Sequence, residues 1–353
     1  MCQTHYLSTI GVCSLLIATG CSSIKVTPQI GEVPTGGSGS GNTTPTTPPI
    51  HDSVPSPGIY VVAAGLGTDL SSDLVIIFSQ NTTGTLNDEV GNAEIDGSQV
   101  SVDNDGNIYV LTNNAIEVLS TTAPILATTR TLPVGSGTKI PAVVDMVSSA
   151  KGEIFVSDGK GIAVFSASAA GNDDPVRYVQ GYSQTDGGPS IPITPGVIAV
   201  DALDNLYVQN TADSSIVVFG PTDTGSVAPS RTIAGPDARL TSNGSHVMGI
   251  TTDTAGNLYV LCQCSRPDGS GSDVGIIEFN STANGNVAPM RFVSAPEMDS
   301  SFLGSGIAVD QAGTIYITGN ARILEFAATA SGIVAPSNSV TSDYGPLLGI
   351  AVH

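Results

Sequence analysis

Thr252 to Val260 reads TDTAGNLYV, and altered copies of it run through the chain. VDNDGNIYV spans Val102 to Val110, VDALDNLYV spans Val200 to Val208, and VDQAGTIYI spans Val309 to Ile317. SSAKGEIFV, Ser148 to Val156, is a worn copy. Each reads as an apolar strand end, an Asp-led turn, and a second strand rich in β-branched and aromatic residues. Self-similarity at such a period marks an array of one supersecondary unit.

Around this stretch the other landmarks repeat in phase. The aromatic position falls at Tyr60, Tyr109, Phe155, Tyr207, Tyr259 and Tyr316, at spacings of 49, 46, 52, 52 and 57 residues. A further strand follows each, as in IVVF ending at Phe219 and IIEF ending at Phe279. In four copies a Gly-containing stretch then leads to Pro175, Pro229, Pro289 or Pro336, always ten residues past the Phe. Arg177, Arg231 and Arg291 sit two residues past the Pro, with Arg130 as their counterpart in the second copy. The first and second copies are expected to lack the Gly-to-Pro stretch in register.

Each unit therefore contains four short strands, exemplified by GIAVD, GNLYV, IVVF and PSRTIAG. Four antiparallel strands in repeats of roughly 40–50 residues predict the blade of a β-propeller. The fold class is all-β, with six four-stranded blades over residues 58–353. The first unit opens at PGIYVV with no innermost strand before it, while the chain stops at GIAVH, Gly349 to His353. The last segment is expected to supply the missing strand and close the ring, removing the open edges of a linear array. His353 would stand where other copies carry Asp103, Asp201, Asp253 and Asp310.

The VDxxGNLYV and VFxxxxxGNxAPxRxIxG patterns resemble the NHL-repeat family of six-bladed β-propellers. The resemblance covers Gly58 to His353. It implies the fold and leaves the function open, since propellers host binding modules, lactonases, lyases and sensors.

The segment before the repeats is different in kind. An apolar core from Ile10 to Ala18 leads into ATGC, ending at Cys21. This resembles a bacterial lipoprotein signal, which implies a signal peptide over residues 1–20 and lipidation (palmitate included) of Cys21. An ordinary secretory signal is the other reading. The apolar run is too short for a spanning helix. Residues 21–57 are rich in Gly, Ser, Thr and Pro, cannot bury a core, and read as a tether with an r.m.s. reach of about 35 Å. The expected location is the bacterial cell envelope, at the outer membrane or cell surface, with a secreted protein as the alternative.

Asp and Glu number 31 against 11 Lys and Arg, a net charge of −20. A surface this negative repels phosphate backbones, so nucleic-acid binding is excluded. We read the chain as a monomer.

Strand order assigns the loops to two faces. One face carries the repeated DxxGN and GNxAP stretches. The other carries second-to-third-strand loops, such as 65–73 and 262–275, and the inter-blade connections 182–195, 236–246 and 296–305. Loops free to differ between copies of one unit are not needed to build the unit, which makes their face the expected recognition surface. Its candidate ligand-facing acids are Asp186, Asp237, Glu297, Asp299 and Asp343, with Asp69, Asp73, Asp268 and Asp273 alongside. Oxygen ligands converging on a central mouth would suit Ca²⁺, but turn formation and solubility account for the same residues, and no cofactor is expected. Asp residues inside the DxxGN turns are expected to cap the local backbone, and the repeated Arg residues to bond neighbouring loops.

Candidate catalytic groups are few. Past the tether only His246 and His353 remain, too few for the His-rich metal site of propeller lyases in this family, and no GxSxG motif is present. Cys262 and Cys264 share a strand face, at a Cα separation of roughly 6.5–7 Å if fully extended, near the limit for a disulfide. They read either as a bridge or as two small residues beside a long loop. The functional expectation is an envelope-anchored module binding a protein or glycan. The alternatives are a lactonase- or lyase-type enzyme with a divalent metal, and a structural envelope protein.

Overall fold

The computed structural model describes residues 58–63, 74–80, 82–85, 91–94, 97–120, 126–181, 193–240, 246–265, 272–298, 302, 306–343 and 345–353. The signal segment, Cys21 and the tether lie outside the described residues, as do Asp69, Asp73, Asp186, Asp268 and Asp299.

Six blades, each built on four antiparallel strands, make a β-propeller, and three of the sheets carry a fifth, parallel strand at the rim. Blade 4 is representative. Its inner strand Pro195–Val200 pairs with Leu206–Asn210, then Ser215–Phe219, then Arg231–Ile233 at the rim. The DxxGN stretch makes the first turn because its fourth residue must adopt a left-handed conformation, which glycine enters without steric penalty. Gly106, Gly256 and Gly313 have φ of 80°, 78° and 82° there. Blade 4 places Asp204 at this position with φ 63°, and Lys151 of blade 3 pairs with its carboxylate.

The ring closes as the termini of the repeat array imply. Leu347–Val352 is the inner strand of blade 1, antiparallel to Gly58–Ala63, with Tyr60 opposite Ala351 and Ile59 opposite Val352. His353 and Gly58 exchange both backbone hydrogen bonds, at 2.9 and 3.1 Å. The His353 ring, in the place of the turn aspartate, lies 3.3 Å from the Asn104 carbonyl of blade 2.

The apolar core lies between blades rather than within one. Tyr207, Ile216 and Val218 of blade 4 pack on Val260, Ile277 and Phe279 of blade 5, and equivalent clusters join each remaining neighbouring pair. A four-stranded sheet is apolar on both faces here, and only a ring covers both faces of every copy.

The GNxAP stretch differs from expectation. It climbs the rim of the preceding blade as a short parallel strand instead of turning tightly on one face. Gly225–Val227 of blade 4 pairs with Arg177–Gly181 of blade 3, and Gly332–Ile333 of blade 6 pairs with Arg291–Ser294 of blade 5. The first copy lacks the proline, as expected, but keeps the glycine. Gly84 stands six residues past Phe78, as Gly225 does past Phe219, and Gly84–Thr85 pairs with Asn338–Thr341 of blade 6. The proline and the arginine two residues past it are replaced by Asp88 and Val90. The added strand satisfies the outward N–H and C=O groups of an otherwise open edge. The stretch from Cys262 to Gly275 is likewise less irregular than expected. The strands Leu258–Ser265 and Ser272–Phe279 extend into it and pair through Cys264 and Asp273.

Candidate functional site

On the DxxGN face the repeated polar side chains are engaged in construction. Asp103 Oδ1 accepts the N–H groups of Asp105 and Asn107 at 3.0 and 2.8 Å, and its Oδ2 accepts from Asn107 Nδ2 and the Tyr109 hydroxyl, both at 2.8 Å. Asp201 and Asp253 repeat the set. Burial, reinforced by Asp103, pushes the Tyr109 hydroxyl up and keeps it a donor. Arg177, Arg231 and Arg291 each lean over the aromatic landmark of their own blade and cap the next blade. Arg231 stacks 5.5 Å from the Tyr207 ring centre and donates to the carbonyls of Ser281 and Ala283 and to the Tyr207 hydroxyl. Arg177 and Arg291 do the same with Asp223 and with Ala328 and Ala330. Arg130 reaches Ala169. No anion site is built from them.

The described acids of the opposite face do not converge. Asp237, Glu297 and Asp343 each follow the outer strand of a different blade, the fourth, fifth and sixth. Asp237 is clasped by Asn286 of the next blade: its N–H donates to Asn286 Oδ1 and its Oδ2 accepts from Asn286 Nδ2, both at 2.8 Å. Glu297 and Asp343 are exposed. Among the described residues, no group of three His, Cys, Asp or Glu is placed to hold a metal ion.

Cys262 and Cys264 are fully buried in the core between blades 4 and 5, beside Ala238, Leu240 and Val247. Their sulfurs are in contact, and their Cα atoms are 5.3 Å apart. That is shorter than a fully extended pair and inside the disulfide range.

The feature that sequence reading missed lies on the axis. The inner strands enclose a channel of about 440 Å³. A ring of Val102, Ser148, Val200, Thr252, Val309 and Val352, one from each inner strand, separates it from a second cavity of about 470 Å³ at the DxxGN mouth. Inner strands begin at the irregular-loop face, and Asp145 is the first residue of the blade 3 strand Asp145–Ser148. Asp145 is therefore at the irregular-loop end. Its Oδ1 accepts the Met146 N–H at 2.9 Å and its Oδ2 accepts the Ile198 N–H of blade 4 at 2.6 Å. Burial outweighs these bonds and pushes the carboxyl up to about 7. Gln99 of blade 2 makes the matching contact one blade earlier, accepting the Met146 N–H at 2.9 Å.

A sequence signal for this end existed. Four residues before the turn aspartate, or its counterpart, stand Gly249, Gly306 and Gly349 in three blades, but Gln99, Asp145 and Val197 in the others. The glycines let neighbouring strands approach: a Cβ on Gly349 would lie 3.1 Å from the Gln99 Cα and 3.2 Å from the Val100 nitrogen. At two other seams the side chains of Gln99 and Asp145 reach across to the next inner strand.

No family model matches the chain, and no curated protein matches it in sequence. Among solved structures, one described as a candidate 6-phosphogluconolactonase from Bacteroides uniformis is similar at a TM-score of 0.51 and 12% identity, over 84% of this chain and 99% of that one. A protein of unknown function from Bacteroides caccae is similar at a TM-score of 0.50 and 12% identity, over 84% of this chain and 98% of that one. At such identity the likeness is one of fold alone.

Proposed function

We propose that this chain is an envelope-anchored propeller of NHL-repeat type that recognises a protein or glycan partner through its irregular-loop face. One contrast carries the reading. The repeated aspartate and arginine side chains of the DxxGN face hold its turns and blades together, whereas Glu297 and Asp343 on the opposite face are exposed. Residues whose hydrogen bonds build the ring are poorly suited to exchange them for a partner's. Loops that vary between copies on a rigid scaffold are the ordinary seat of recognition. The lipoprotein-like ATGC at Cys21 supports attachment at the envelope, and the tether would hold the ring clear of the membrane.

The test pairs two variants in binding assays against solubilised envelope proteins and a glycan array. Charge reversal of Glu297 and Asp343 together is expected to abolish partner capture without changing stability. Asp253→Asn is expected to lower stability while the folded fraction binds as wild type. The opposite pattern refutes the face assignment. Cys21→Ala is expected to shift the protein from the membrane to the soluble fraction, and unchanged partition refutes the anchor.

A further inference from the structure

The axial channel is chemically uneven, and its one charge is unexplained by the ring's construction. Asp145 is the sole ionisable side chain among the described residues lining it. Around it stand Gln99, Val147, Val197, Met248 and Leu348, none of them charged. Bridging adjacent inner strands does not require an ionisable group, because Gln99 does so with a neutral amide at the neighbouring seam. Asp145 thus carries a charge that its structural role does not need, in a place where the charged form is poorly solvated.

We propose that the channel binds a small organic cation, with an ammonium head on Asp145 and its body lying along the inner strands. This site is separate from the partner surface proposed above. The carboxylate accepts the Met146 and Ile198 N–H groups, one on each oxygen, and a side-chain hydrogen bond from Gln99, which leaves one lone pair for a further donor. A cation restores the electrostatic partner that the walls deny, a neutral ligand does not, and an anion is repelled. A channel of about 440 Å³ falls within the roughly 300–1,000 Å³ of small-molecule sites. The net charge of −20 raises the local concentration of any cation. A bare Ca²⁺ ion fits poorly, since it takes about six to eight oxygen ligands and one carboxylate with one amide falls far short.

The test titrates the full chain calorimetrically with hexylammonium, hexanol and hexanoate at constant ionic strength and pH 8. Hexylammonium is expected to bind saturably at one site, with hexanol weaker by more than about tenfold, the loss of one charge-assisted hydrogen bond, and hexanoate silent. Asp145→Asn keeps an acceptor for Ile198 but removes the charge, and should weaken hexylammonium by more than about tenfold. Leu348→Trp keeps the carboxylate and fills the mouth, and should abolish binding, which guards against misreading a poorly folded Asp145 variant. No hexylammonium binding to the wild type, equal binding of hexanol, or retained affinity in either variant overturns the proposal.

Discussion

Replacing Asp145 with Asn should stabilise this propeller at alkaline pH and remove part of its pH dependence. An unfolded aspartate titrates at 3.8, whereas in the channel desolvation pushes Asp145 up to about 7 against the opposing hydrogen bonds from Ile198, Met146 and Gln99. Between these values the folded protein holds a proton that the unfolded chain has released. Stability therefore falls as pH rises through this window, and is flat below about 3.8 and above about 7. At about 1.4 kcal/mol per pH unit, the whole interval sets an upper bound of roughly 4 kcal/mol, because Asp145 is only partly buried and faces the channel. Between pH 5 and 8.5, where unfolding is measured conveniently, Asp145 should account for a loss of at most about 3 kcal/mol. The assay is urea unfolding of wild type and Asp145→Asn across this range, with both stabilities extrapolated to water. Glu325, also raised by burial, and the general repulsion of an acidic chain contribute with the same sign, but they are common to both proteins. The difference between the two pH profiles isolates Asp145. Asn should lose less stability with pH and exceed wild type at pH 8.5, by no more than the roughly 4 kcal/mol limit if its amide packs equally well. Parallel profiles would refute the claim that the channel carboxylate is desolvated.

Arg231→Ala should destabilise by about 2–4 kcal/mol in the same unfolding assay, since it strips a cationic donor from the Ser281 and Ala283 carbonyls and uncovers the Tyr207 ring. Arg231→Lys should recover little of this, because one ammonium replaces a planar fork that serves both carbonyls and a hydroxyl; full rescue would refute the capping role. Alkylation of the denatured protein followed by mass spectrometry should find Cys262 and Cys264 unreactive before reduction and labelled after it. Free thiols in protein isolated from an oxidising compartment would contradict a bridge between the contacting sulfurs.

What could be read in the sequence depended on whether the cause was local or lay across a seam. The DxxGN turns were legible because the side chain, the backbone groups it caps and the left-handed glycine fall within a few residues of one another, as in Asp103 to Asn107. Ring closure was legible because a missing first strand and a surplus last strand are visible in one linear count. The GNxAP stretch was misread because its partners lie about fifty residues upstream, so Gly285 looks like a turn until its N–H is found on the Thr232 carbonyl at 2.6 Å. The partner that holds Asp237, Asn286, belongs to the next blade and is likewise invisible to a reading along the chain. Asp145 was missed for a related reason. Reading for acids in irregular loops passes over an acid inside a strand, and its environment is made by strands from all six blades. Comparing the copies column by column, rather than reading along the chain, exposes it as the charge in a column where three blades carry Gly249, Gly306 and Gly349. In a ring of near-identical units, departures on the inner strands share one environment, because at the axis all the copies meet.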